Sequence, residues 1–242
     1  MSSAVLSAPG DELGAALDRR LAGPGPSLAD LHSTAEWLRA HPDLLTSAVA
    51  ALRARDTERA DVAARSYWHP NGFAKVVLRT DVRYSVRLHV WSNRRSWSGD
   101  LNPHGHRWEF ASWVLSGGLR EAFFSEAAAT GETAPGVYHR CVYGRDGSGR
   151  RYLQPICDVP LHQVSRTERA AGAVYGCGRT VIHAVDPIGP GPVVTVIVQG
   201  PPVVDSTVVY LHPDAPREHS EESLTESELG HALDTVLRLL SR

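Results

Sequence analysis

The sequence predicts an all-β core, a barrel or sandwich, carrying helices at both ends. Three observations predict it. The first sixty residues repeat apolar side chains at helical spacing; from about residue 73 to residue 211 the period is two; the last stretch returns to helical spacing. Helices, then many short strands, then a helix is not the alternating order of a parallel α/β sheet.

Asp11 to Ala22 reads as a first helix, stopped by the Gly-Pro-Gly-Pro run at 23–26. Ser27 is a suitable N-cap for a second helix, whose apolar face is Leu28, Leu31, Ala35 and Leu38. His41-Pro42-Asp43 breaks it and starts a third, faced by Leu45, Ala48, Val49 and Leu52. In Val82–Trp91 the even positions are apolar and the odd ones mostly polar, the alternation of a strand. Further strands are expected at Trp108–Leu115, Leu119–Phe124, Val137–Tyr143, Arg151–Ile156, His162–Arg166, Val181–Val185, Val193–Gln199 and Thr207–Leu211. The turn-rich segment between Tyr143 and Arg151 predicts a hairpin about Asp146–Gly149. Thr225 and Glu228 form a capping-box pattern ahead of Leu229, Leu233, Val236, Leu237 and Leu240, one face of a final helix. The expected division is a helical segment over 1–65, a β-barrel over 66–215 and a C-terminal helix over 216–242.

With 242 residues the chain can bury a core without disulfides or structural metal. A net charge of −2 and scattered basic residues leave no footprint for nucleic acid or an anionic membrane. No apolar run reaches the roughly 18 residues of a membrane helix. Three cysteines, Cys141, Cys157 and Cys177, with no CxxC, predict reduced thiols and neither a disulfide framework nor a thiolate zinc site. The N-terminus lacks a basic stretch followed by an apolar one, so the expectation is a cytoplasmic protein. There is no P-loop, no GxSxG elbow and no HExxH helix.

The segment that carries chemistry is Asn102-Pro103-His104-Gly105-His106-Arg107-Trp108-Glu109-Phe110. Two histidines two apart on a strand share a face and can offer two imidazoles to one ion. A lone HxH is a weak signal, since many such pairs are surface histidines. The context is more specific: HGHRWEFASWVLSGGLRE, with Gly99 upstream and Gly117-Gly118 downstream, resembles the first cupin motif. Gly172–His183, a glycine-led turn segment ending in histidine, resembles the second, and a strand at 192–198 follows it as a last barrel strand should. The two motifs span roughly residues 80–211, and the likeness is nearest to metal cupins with HxH followed by an aromatic-acidic-aromatic run.

This resemblance implies a double-stranded β-helix, the jelly-roll barrel, with a divalent metal inside it. The implied ligands are His104, His106 and His183. The acidic ligand of the usual motif falls four or five positions after the second histidine, where this chain has Phe110 and Ala111. Glu109 comes a step earlier and on an unbroken strand faces away from His106; it is either a fourth ligand through a bulge or an orienting residue outside the ligand shell. The cysteine that some thiol dioxygenases cross-link to a tyrosine has no counterpart among Ala111, Ser112 and Trp113.

Arg83, Arg87, His89 and Trp91 share a strand face. Either Arg87 or Arg83 anchors an acidic substrate by paired hydrogen bonds, or this face is a polar edge in solvent. Trp108, Phe110 and Trp113 read as core packing before pocket wall. Tyr84, Tyr138 and Tyr175 are oxygen-side donors among which the sequence does not choose. His69, His139, His162, His212 and His231 read as surface or structural, and Arg107 and Arg120 as surface charges.

The expected function is a metal-dependent cupin enzyme, a mononuclear non-haem Fe(II) oxygenase of the dioxygenase type. It would act on a small polar or carboxylate-bearing molecule, with Arg87 and Glu109 in catalytic roles. Zn, Ni, Mn or Cu are alternative ions. The competing readings are a non-oxidative metal cupin (isomerase or lyase) and a cupin that binds a small ligand without turnover. A homodimer built through the helical ends is the expected assembly.

Overall fold

The computed structural model describes residues 11–23, 25–69, 71–92, 102–127, 136–145, 151–214 and 222–241. Gly99 and the hairpin tip Asp146–Gly149 lie outside them.

Four helices come first: α1 (Glu12–Arg20), α2 (Leu28–Ala40), α3 (Pro42–Ala54) and α4 (Asp56–Arg65). Asp11 caps α1, which stops two residues short of the predicted end. Ser27 caps α2 in a reciprocal box with Asp30, and Pro42 opens α3 where a missing N–H costs nothing. The strands follow: β1 (Tyr67–His69), β2 (Phe73–Thr80), β3 (Ser85–Trp91), β4 (Phe110–Ser116), β5 (Gly118–Ser125), β6 (Gly136–Arg145), β7 (Arg151–Ala170), β8 (Val174–Cys177), β9 (Ile182–Ile188), β10 (Val193–Gln199), β11 (Val208–Leu211) and β12 (Glu222–Ser223). Helix α5 (Glu226–Leu240) closes the chain behind the predicted Thr225–Glu228 box.

One sheet has the order β12-β1-β2-β3-β10-β4-β8, the other β11-β6-β7-β5-β9. Within them the interleaving β3-β10-β4-β8 against β9-β5-β7 is the strand order of a double-stranded β-helix. The second sheet also closes on itself. His104 bridges His183 of β9 on one side and Val209 of β11 on the other. Its backbone N–H donates to the His183 carbonyl at 2.9 Å and its carbonyl accepts from His183 at 3.0 Å; Gly105 N–H donates to Val208 and Tyr210 N–H to Pro103. The ring therefore runs β11, His104, β9, β5, β7, β6 and back to β11.

The period of two sorts the seven-stranded sheet into two faces. Val86, Leu88 and Val90 of β3, Ala111 and Trp113 of β4, and Val194, Val196 and Val198 of β10 pack under the helices. Leu17, Leu31, Leu38, Leu45, Leu52 and Leu233 meet them there, all fully buried. Each contributes about 2 kcal/mol by leaving water. The opposite parity faces the barrel interior: Trp91, Phe110, Val114, Val193 and Ile197.

Three differences from the sequence reading have physical causes. Val82–Tyr84 is not strand: Asp81 accepts from the Arg83 backbone N–H and side chain, which turns the chain before Ser85. Arg151–Ile156 and His162–Arg166 are one strand, β7, despite Pro155 and Pro160. Both prolines fall in the half of β7 that pairs with β6 alone, and Pro155 lies at a register shift opposite Cys141, so their missing donors interrupt little. β8 and the short β1 and β12 carry too few residues to show a period.

Candidate metal centre and its cavity

A cavity of about 380 Å³ opens between the two sheets. At its wall stand His104, His106 and His183, with one ring nitrogen of each within 4.8 Å of the others. It is the one such cluster of potential ligands among the described residues. His104 and His106 come from the segment that closes the ring and His183 from β9, so backbone pairing holds all three in one place.

Hydrogen bonds orient two of the rings. His183, 2% exposed, has its Nδ1 2.7 Å from Oε1 of Glu121, itself 1% exposed on β5. Arg169 of β7 donates from Nε to the other Glu121 oxygen at 2.7 Å and lies with its guanidinium 4.0 Å from the Tyr175 ring centroid. Glu121 thus accepts the Nδ1 proton of His183 and turns the Nε2 lone pair inward, the carboxylate–histidine arrangement of metal sites. His104 Nδ1 lies 3.0 Å from the Asn102 carbonyl, which leaves its Nε2 for the cluster. His106 Nε2 is 2.8 Å from His183 Nε2, near the spacing of about 3 Å for two nitrogens sharing one ion. Phe110 packs edge-on against His106.

Burial, and then the neighbouring His183 imidazole, push the His104 pKa down to about 4. Burial holds His106 well below the ordinary range as well, with His104 and His183 adding to the effect. Neutral imidazoles crowded nitrogen to nitrogen are a donor set that fits a divalent first-row ion. Cys177 is no competitor: burial, then the Glu121 charge, push its thiol up to about 12.

Glu109 does not join the three histidines and does not line the cavity. It stands just ahead of β4, and its carbonyl accepts from Gly200 N–H. Arg87 does line the cavity, with its guanidinium 5.2 Å from the Trp108 ring centroid. Burial, first of all, lowers its pKa to about 10, so it is a cation at neutral pH. Arg83 does not share this wall: its side chain is paired with Asp81 and Asp18 beside α1.

Trp108 and Phe110 border the cavity, whereas Trp113 packs under the helices, which divides a trio read as core. Tyr175 faces the cavity; Tyr84 is bonded to Asp18 and Arg79, and Tyr138 stands edge-on to His212. His69 and Arg107, read as surface or structural, also line the cavity. Sequence reasoning missed Glu121, Arg169 and Lys75. The signal for Glu121 was an acid sharing the parity of the buried Leu119 on its own strand.

The fold is therefore a cupin-type double-stranded β-helix, and its interior holds a three-histidine cluster suited to a divalent metal. No family profile and no curated protein matches the chain. Among solved structures it is similar to an uncharacterized conserved protein with a double-stranded β-helix domain from Klebsiella pneumoniae (14% identity, TM-score 0.33, over 58% of this chain and 80% of that one). It is similar also to a cupin-2 domain protein from Shewanella frigidimarina (12%, 0.31, 62% and 97%). A third is hydroquinone 1,2-dioxygenase from Sphingomonas sp. TTNP3 (9%, 0.31, 54% and 66%). The fold assignment rests on the strand pairing, independently of these likenesses.

Proposed function

We propose that this protein is a metal-dependent cupin enzyme, a mononuclear non-haem Fe(II) oxygenase acting on a small polar or carboxylate-bearing molecule. The observation that carries the reading is the convergence of three imidazoles on one wall of a cavity whose other walls present buried donors. His104, His106 and His183 would hold the ion. When bound, it supplies Lewis-acid polarisation and, if it is iron, the electrons for oxygen chemistry, with positions left open by only three protein ligands.

The chain's own residues supply the rest. Glu121 keeps the His183 proton on Nδ1 and the ring in place. Arg87 offers its guanidinium to an acidic group of the substrate. Trp108, Phe110 and Tyr175 shield the interior from bulk water, which strengthens every polar contact inside. Glu109 is read as a residue outside the ligand shell, because it neither joins the histidine cluster nor lines the cavity.

Elemental analysis of the wild type and of the His104→Ala/His106→Ala variant tests the reading. Near-stoichiometric metal in the wild type, absent from the variant, is the expected result. Oxygen uptake by the iron-loaded protein with a pool of small organic acids then separates oxidative from non-oxidative chemistry. A wild type that takes up no ion, even after anaerobic loading with Fe(II), overturns it.

A further inference from the structure

The inner face of the first sheet changes character step by step along β3. Arg87, His89 and Trp91 share one face of the strand, each about 6.8 Å from the next, and all three line the cavity. Beside them stand Thr195, the register partner of His89 on β10, and Phe73 of β2. The Phe73 ring centroid is 4.3 Å from that of His89 and 4.6 Å from that of Trp91. The wall thus runs from a cation, through two neutral polar groups, to a patch of rings.

Each step offers a ligand something different. Arg87 Nε is buried and has no hydrogen-bond partner among the described residues. The ionisable groups that act on Arg87 are Tyr67 and Arg107; Asp205, the one carboxylate that lines the cavity among the described residues, is not one of them. A buried cation with no acid beside it calls for a negative charge. His89 Nε2 and Thr195 Oγ1, at the next step, are likewise buried without a partner among the described residues. Burial, then the charges of Lys75 (its register partner on β2) and Arg87, hold the His89 pKa well below the ordinary range, so this ring is neutral. A neutral imidazole nitrogen and a hydroxyl at opposed positions are both satisfied by one ligand hydroxyl, which donates and accepts at once. At the last step Trp91 directs its indole N–H to the Asn71 carbonyl at 3.3 Å, so Trp91 and Phe73 offer apolar surface.

We propose that this wall binds a hydroxy acid with an apolar, ring-bearing tail: the carboxylate on Arg87, the hydroxyl between His89 and Thr195, and the ring against Phe73 and Trp91. The proposal rests on reading this cavity as the substrate site, and it adds a hydroxyl and a tail to the acidic group that Arg87 receives there. The order of the steps along β3 fixes the order of the groups, with the hydroxyl between carboxylate and ring. A cavity of about 380 Å³ takes a molecule of this size.

Calorimetric titration with 3-phenyllactate tests the site against two relatives, 3-phenylpropionate, which lacks the hydroxyl, and lactate, which lacks the ring. It is run on the full chain and on the His104→Ala/His106→Ala variant, in which no ion held by those histidines can chelate the hydroxy acid. The expected result in both proteins is one site for 3-phenyllactate, roughly tenfold or more tighter than for either relative. Every variant is checked by circular dichroism for an intact fold. Thr195→Val and His89→Phe should each close most of the gap between 3-phenyllactate and 3-phenylpropionate, and leave the latter within about twofold of its wild-type affinity. Arg87→Met should weaken both aromatic acids by roughly tenfold or more. A wild type that binds 3-phenyllactate no tighter than either relative overturns the proposal, and so does a hydroxyl preference that survives both Thr195→Val and His89→Phe. A preference that disappears with His104 and His106 overturns it as well, because the hydroxyl is then held by the ion and the metal reading stands alone. The same preference in a wild type that takes up no ion supports this site while the metal reading fails.

Discussion

Glu121 shows how much a single buried side chain contributes here. It touches the ion's surroundings only through His183, yet it decides which nitrogen of that ring is free. Glu121→Gln keeps the shape and removes the charge, and it turns an amide toward Arg169. Metal affinity should fall by roughly 10–100-fold, read by competition against a chelator, while the fold persists. Glu121→Ala should in addition cost about 3 kcal/mol in denaturant unfolding, because Arg169 is left without its acid. The histidines were legible in the sequence because their spacing is local: His104 and His106 are two apart, and His183 ends a turn segment. Glu121 and Lys75 were not, since each acquires its role from a strand that pairs with it across the sheet. Arg83 and Arg87 shared a parity in the sequence, and only the acids of Asp18 and Asp81 told them apart.

Among the elements, the β4–β5 connection is the most tightly specified. Gly117 has φ +72°, and a Cβ there would lie 2.6 Å from Val193 Cγ2 and 3.2 Å from the Pro192 carbonyl. Both the backbone region and the space demand glycine. Gly117→Ala should lower stability by about 1–3 kcal/mol, seen as a drop of several degrees in thermal melting. Most of the longer strands were readable from their apolar residues, but β2 was not among those named, because Phe73–Leu78 is buried on both faces and shows no clean alternation. β10 matches its predicted limits, because Val193–Gln199 is central and buried throughout. β7 was divided on account of its prolines, which forbid a central strand but not one paired along one side.

Across the whole molecule the helices are the outer half of a core whose inner half is the first sheet. Leu31 of α2 is fully buried in that layer, on the opposite side of the sheet from the cavity. Leu31→Ala should lose about 2–5 kcal/mol of stability yet still bind metal at the wild-type stoichiometry at 25 °C. The pair of measurements separates what holds the barrel from what the barrel does. The order of helices and strands, and so the layered architecture, was visible from hydrophobic period alone. The closure of the second sheet was not, because the bridge through His104 involves one residue flanked by Gly105 and Pro103, with no strand period to announce it.

That bridge has a kinetic consequence. The residue whose imidazole offers a lone pair to an ion is the same residue whose peptide group joins the first and last strands of the ring. Binding an ion there restrains the seam through the His104 and His183 side chains at once. The amides of His104, Gly105, His183 and Tyr210 should exchange with deuterated solvent more slowly in the metal-loaded protein than in the metal-free one. Amides of the helical layer that exchange by local opening, far from the seam, should exchange at the same rate in both.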